Sequence, residues 1–207
     1  VLLRIKSQER VHEMRVHRAT VEVKNVSSSV IEHRGRSLGY LHIDGFVSGS
    51  TCSDARRELR LLAESGVDGL VLDLRDNGGG SLKTVVDIAG LFIEDGPIVQ
   101  VRSSAREKEI YEDKDERIQW DGPLVILVNE LSASASEILA AAMQDYKRAV
   151  VIGSKQTFGK GTVQNVIPLE NIVRGNEYGD LGAIKLTTQK FYRINGGSTQ
   201  LEGVKSD

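Results

Sequence analysis

The chain has 207 residues, 40% hydrophobic and 27% charged, which is enough for one substantial core plus a small appendage and is not the composition of a disordered tail. Lysine and arginine total 27 against 29 aspartates and glutamates, so the net charge of -2 gives no general attraction to nucleic acid or to an anionic membrane surface. The single cysteine, Cys52, excludes an intrachain disulfide framework and a cysteine-clustered zinc site, and no apolar run approaches the roughly 20 residues of a membrane-spanning helix.

The chain starts at Val1 and reads as a fragment of something longer. In residues 1–28, VLLRIKS and ATVEVKNV alternate apolar and polar side chains, which predicts half-buried strands in a hairpin or at the end of a domain. Eight basic residues against four acidic ones up to Arg36 read as a solvated face. HEMRVH places three residues between Glu13 and His17 where the helical zinc-protease motif needs two, so no metal site is assigned.

From Gly39 strands and helices alternate. GYLHIDGF predicts a strand, and the helix over Ser53–Ser65 puts Ala55, Leu59 and Leu62 on one face with Gly66 as its stop. GLVLDL, Gly69–Leu74, is a buried strand leading into RDNGGGS, and Leu82, Val85, Val86 and Ala89 then follow helical spacing. The charge-dense stretch 103–119 reads as a solvated loop or hairpin tip. PLVILV, 123–128, is a second buried strand, and NELSASASEILAAAMQDY turns from it into an alanine-rich helix. AVVIG, 149–153, is a third strand, and the long alternating strand GAIKLTTQKFYRI, 182–194, ends at Gly196 and Gly197.

Three turns that follow buried strands can carry chemistry, because ligands in open α/β sheets collect at the carboxyl ends of the strands. Asp76–Gly80 holds three glycines whose N–H groups can face an oxyanion, or it is only a tight turn. Ser132–Glu137 starts a helix. Its Ser134 and Glu137 have the spacing of a capping box, and a nucleophile fits the same place. Thr157–Gln164 is not a P-loop, since five residues separate Gly153 from Gly159 and Gly161 follows Lys160 where serine or threonine is required. All four histidines precede residue 43, so a serine nucleophile here needs a lysine base, and burial can lower a lysine pKa into a usable range. Gln164 could then orient the amine, with the Gly79 and Ala135 N–H groups facing the oxyanion.

DLRDNGGG, SASASEI with AAAMQDY, TFGKGTVQ and QKFYRINGGSTQ, in that order, resemble the signatures of the tail-specific, or C-terminal processing, serine proteases, from about Gly39 onward. The resemblance implies an α/β core of the crotonase/ClpP-like kind, with a mixed sheet and flanking helices, over residues 29–207. Residues 1–28 would then be the terminal strands of a PDZ-like domain or a connector. It implies Ser134 as nucleophile, Lys160 as general base and Gln164 as the orienting amide. The implied oxyanion hole uses Ala135 and a glycine of the triglycine turn, Gly79 with Gly80 as its neighbour. Asp145 matches an acidic position of the family and is read as structural support. Against the family's pattern the TFGKG loop would carry one extra residue near Lys155, and most of the PDZ tether would be missing. The expected activity is endoproteolysis through an acyl-enzyme, without metal or organic cofactor. Its substrates would be proteins with apolar, accessible C-terminal tails, handled in the bacterial envelope or periplasm, where an adaptor protein is a further partner. The competing readings are a catalytically silent peptide-binding scaffold and a crotonase-like acyl-transfer enzyme, neither of which requires Ser134 to act as a nucleophile.

Overall fold

The computed structural model describes residues 1–8, 10–19, 24–47, 49–103, 108–173, 175, 177 and 179–207. Two antiparallel strands, β1 (Leu2–Ser7) and β2 (Arg10–Arg15), form a separate ribbon at the start, exposed along its whole length. The second expected strand, ATVEVKNV, falls partly on residues 20–23, outside the described residues.

The main sheet has five strands in the order β3 (Val26–His33), β4 (Arg36–Ile43), β5 (Gly69–Asp73), β8 (Leu124–Val128) and β9 (Val150–Gly153). β3 is antiparallel to β4, and β4, β5, β8 and β9 run parallel. Parallel neighbours need crossovers, and these are supplied by α1 (Thr51–Glu64), α2 (Leu82–Ala89) and α3 (Ala135–Asp145). α1 buries Ala55, Leu59 and Leu62 as its spacing requires, and Gly66, at φ +70°, ends it in the left-handed conformation. Ser81 caps α2 by accepting the Thr84 N–H at 3.2 Å.

The second sheet is antiparallel, in the order β10 (Thr162–Pro168), β11 (Ala183–Tyr192), β6 (Gly96–Ser103) and β7 (Glu109–Asp113). β7 lies within the stretch expected to be a solvated loop, because pairing with β6 satisfies its backbone even though its side chains are mostly polar. The intervening residues 104–107 lie outside the described residues. β10 follows directly on the Lys160 turn. It slips by one residue between Val163 and Gln164, with Thr188 as the extra residue on β11.

The resulting mixed α/β architecture has one continuous core of Leu41, Ile43, Leu72, Ile126, Leu139, Phe92 and their neighbours. Its consequence for the site is positional. Residues 74–81, 129–134 and 154–161 leave the carboxyl ends of β5, β8 and β9, which are consecutive parallel strands, so all three chemistry-bearing turns lie along one edge of the sheet.

Candidate active site

The turn after β8 holds three serines, and their surroundings differ. Ser132 is buried, donates its hydroxyl to the Leu74 carbonyl at 2.7 Å and accepts the Asn129 N–H at 2.9 Å. Ser136 is also buried and donates to the Asn77 carbonyl at 2.9 Å. Ser134 is half-buried and lines a cavity of about 130 Å³. Its backbone has φ 56°, ψ -110°, a conformation that L-residues rarely adopt, at the N-cap of α3. Ser132 and Ser136 thus brace the turn that presents Ser134.

The triglycine turn packs directly on this serine. Gly79 has φ +101°, and a Cβ there would lie 2.7 Å from the Ala133 carbonyl oxygen and 2.8 Å from the Ser134 Cβ, so any side chain would push the two turns apart. Buried Asn77 fixes the approach. Its side chain donates to the Ile43 carbonyl at 2.7 Å and accepts the Gly79 N–H at 2.9 Å, and its carbonyl accepts the Ala133 N–H at 3.0 Å. The Gly79 amide is therefore occupied by Asn77. Gly80 and Ala135 line the cavity, and their amides donate to no other group among the described residues. Gly80 is held by parallel bridging to Phe46, with the Ser81 N–H donating to the Phe46 carbonyl at 2.7 Å.

Lys160, Thr162, Val163 and Gln164 line the same cavity, to which Leu82, Ile138 and Phe191 add apolar surface. Five residues expected from the sequence, Ser134, Lys160, Gln164, Gly80 and Ala135, thus share one space, while Gly79 packs against Ala133 and Ser134 and is not among the lining residues.

Glu137 joins the two halves. Its side chain is fully buried, and both oxygens accept two hydrogen bonds. Oε1 takes the Thr157 hydroxyl at 2.6 Å and the Gly159 N–H at 2.7 Å, while Oε2 takes the Ser134 N–H at 2.7 Å and the Lys160 N–H at 2.9 Å. Four donors converging on one side chain suit an acceptor-only carboxylate. In the sequence Glu137 reads only as half of a capping box, and that contact is made. Its reach to residues 157–160 is a tertiary feature with no local signature.

Asp145, at the end of α3, is held by Arg193 through two bonds, Nε to Oδ2 at 3.0 Å and Nη2 to Oδ1 at 2.7 Å, and it also accepts from the Asn195 amide at 2.9 Å. These contacts tie α3 to the segment after β11, and Asp145 is not among the residues lining the cavity. On β5, the buried Asp73 accepts the Tyr40 hydroxyl at 2.5 Å and a forked Arg75 guanidinium at 2.6–3.0 Å. Burial pushes its carboxyl up, but the bonds from Arg75 and Tyr40 outweigh burial and hold it below the ordinary aspartate range.

The chain is similar to known proteins. The Haemophilus influenzae tail-specific protease is 47% identical over 173 residues, covering 84% of this chain and 24% of that protein. The Synechocystis carboxyl-terminal-processing protease is 38% identical over 160 residues, covering 77% of this chain and 37% of that protein. The solved structure of a photosystem II D1 C-terminal processing protease superposes with a TM-score of 0.77 at 30% identity, over 95% of this chain and 51% of that one. The chain thus spans between about a quarter and a half of the length of these relatives. Residues 37–207, which carry all three turns and both sheets apart from β3 and the first residue of β4, match the description of peptidase family S41, and with the relatives in agreement the chain belongs to that family.

Proposed function

We propose that this chain is the peptidase core of a serine endopeptidase that cuts proteins with apolar, accessible C-terminal tails through a Ser134–Lys160 acyl-enzyme. The observation that carries this reading is the shared cavity. Ser134 and Lys160 line it together, two uncommitted amides from Gly80 and Ala135 border it, and the Glu137 side chain binds the backbone of both residues. Membership of family S41 and the names of the relatives support the same reaction class.

In this reading the Ser134 Oγ attacks the scissile carbonyl carbon as its proton passes to the Lys160 Nζ. The oxyanion is met by the Gly80 and Ala135 N–H groups, with Gly79 acting as the packing residue that sets their spacing. Collapse breaks the C–N bond, and the Lys160 ammonium returns the proton to the leaving amine. Water, deprotonated by the same lysine, then cleaves the acyl ester and restores the serine hydroxyl. Gln164 orients the lysine without adding charge, and no step calls for a metal or organic cofactor. The small apolar surface of Leu82, Ile138 and Phe191 suits a short apolar side chain beside the cut.

The exposed β1–β2 ribbon, with Leu3, Ile5, Val11 and Met14 in solvent, is marginal by itself, which supports reading residues 1–28 as the last strands of a PDZ-like tether or a connector. The proposed setting is the bacterial envelope, in the periplasm, with protein substrates and an adaptor as partners. The deciding experiment is cleavage of an unfolded protein ending in an apolar tail, together with labelling by a serine-directed fluorophosphonate. The parent cuts and is labelled at Ser134, and Ser134→Ala does neither. Peptide binding without cutting or labelling would favour the silent scaffold. Turnover of an acyl thioester that survives Ser134→Ala would favour acyl transfer.

A further inference from the structure

The STQ run near the end of the chain has no part in the chemistry above, yet the structure sets it against the loop that carries Lys160. The Gly161 N–H donates to the Gln200 Oε1 at 2.8 Å, and the Leu201 N–H donates to the Gly159 carbonyl at 2.8 Å. Further along, Thr157 donates its N–H to the Val204 carbonyl at 3.0 Å, and Val204 donates its own to the Thr157 hydroxyl at 2.7 Å. Gln156 and Lys205 complete the contact as a bridge. The fit is tight, since a Cβ on Gly161 would stand 2.7 Å from the Gln200 nitrogen and 2.8 Å from its Cβ. Leu201 adopts φ +66° with 81% of its surface exposed, a strained backbone carrying an apolar side chain into water. Such a conformation persists where surrounding bonds over-determine it, and here those bonds run to the lysine loop.

The need for a brace follows from composition. Lys160 stands between two glycines, whose backbones are the freest of any residue, so the loop has little stiffness of its own. Glu137 holds the Gly159 and Lys160 amides, and the Phe191 N–H donates to the Gly161 carbonyl at 3.0 Å. Among the described residues the Gly161 amide donates to Gln200 alone.

We infer that Gln200 is a positioning residue for Lys160, and that segment 199–204 acts as a strap that, together with Glu137, holds the base loop in its working geometry. The inference rests on the Ser134–Lys160 reading. A strap of this kind acts on proton transfer and leaves substrate capture alone, because Gln200 is not among the residues lining the cavity.

The test compares Gln200→Met, which keeps length and removes the acceptor, with Gln200→Glu, which keeps an oxygen able to accept from Gly161. Both are made in the full-length protein and assayed on a peptide with an apolar C-terminus, each at its own pH of maximal rate, with rates normalised to fluorophosphonate-titrated sites. The expected result is a kcat 10- to 100-fold lower for Gln200→Met, a KM within twofold of the parent and a parallel fall in the rate of Ser134 phosphonylation, which requires no substrate. Gln200→Glu returns kcat to within about fivefold of the parent. Parental kcat in Gln200→Met, a loss carried by KM, or equal impairment of the two variants overturns the proposal. Failure of the underlying reading has a different signature, namely a parent that is not labelled or a Ser134→Ala variant that still cleaves.

Discussion

Two residues decide how the site is read. The three serines of SASAS are indistinguishable by type, and their partners separate them: the Ser132 and Ser136 hydroxyls are spent on buried carbonyls, whereas Ser134 faces the cavity. Ser134→Ala is therefore expected to lower the rate by roughly 10⁴-fold or more with little change in stability. Ser132→Ala, which takes the acceptor from the Asn129 N–H, and Ser136→Ala, which removes one of the two donors to the Asn77 carbonyl, are expected to cost about 1–2 kcal/mol in urea unfolding while keeping most of the cleavage rate. Glu137 is the second. Replacing it with Gln puts an NH₂ group against two N–H or O–H donors, whichever way the amide turns. Glu137→Gln should lose about 3 kcal/mol of stability, and the folded fraction should cleave at least tenfold more slowly, because one orientation releases the Ser134 and Lys160 amides and the other releases the Thr157–Gly159 side of the lysine loop. A Gln variant with parental melting temperature and kcat would remove Glu137 from the positioning role.

At the level of elements, the sequence was most legible where both faces of a strand are buried. β5 and β8 are short apolar runs, and such a pattern has few other uses in a chain of this composition. β10 was not legible. Its burial follows no period of two, and it is specified by pairing with β11 across the slip at Val163 and Gln164, a long-range cause that no local window contains. β7 was masked in the same way by its charges. The roles of the turns were legible through residue types and their order, but which glycine amide is uncommitted was not, since that depends on the Asn77 side chain folding back onto Gly79. Asp145 tests the split between support and chemistry. It is mostly buried against Arg193, and removing one partner of such a pair is costly. Asp145→Ala is expected to lower stability by about 3 kcal/mol and to melt earlier, with kcat per titrated site within a few-fold of the parent. A variant that folds like the parent and loses cleavage a hundredfold would place Asp145 in the chemistry after all.

Over the whole molecule, the site depends on two sheets meeting. Ser134 and the triglycine turn hang from the five-stranded sheet, Gln164 belongs to the four-stranded one, and the Lys160 loop spans from β9 to β10 between them. Activity should therefore follow global stability closely as conditions change, and pH is the informative variable. The Asp73 carboxyl on β5 is held below the ordinary range by Arg75 and by the Tyr40 hydroxyl from β4, against the opposing effect of burial. Because its folded pKa is depressed, the folded state binds fewer protons than the unfolded chain between the two values. The stability this group contributes is complete above the unfolded value of about 3.9 and is lost as pH falls through the lower, folded one. Urea midpoints should fall as pH drops from about 4 toward 2. Asp73→Asn, which cannot titrate and cannot receive the Arg75 fork on two charged oxygens, should start less stable at neutral pH and show a shallower acid limb. Parallel acid limbs for the two proteins would mean that acid sensitivity arises elsewhere and that the Tyr40–Asp73–Arg75 cluster is no more than a neutral hydrogen-bond clip between β4 and β5.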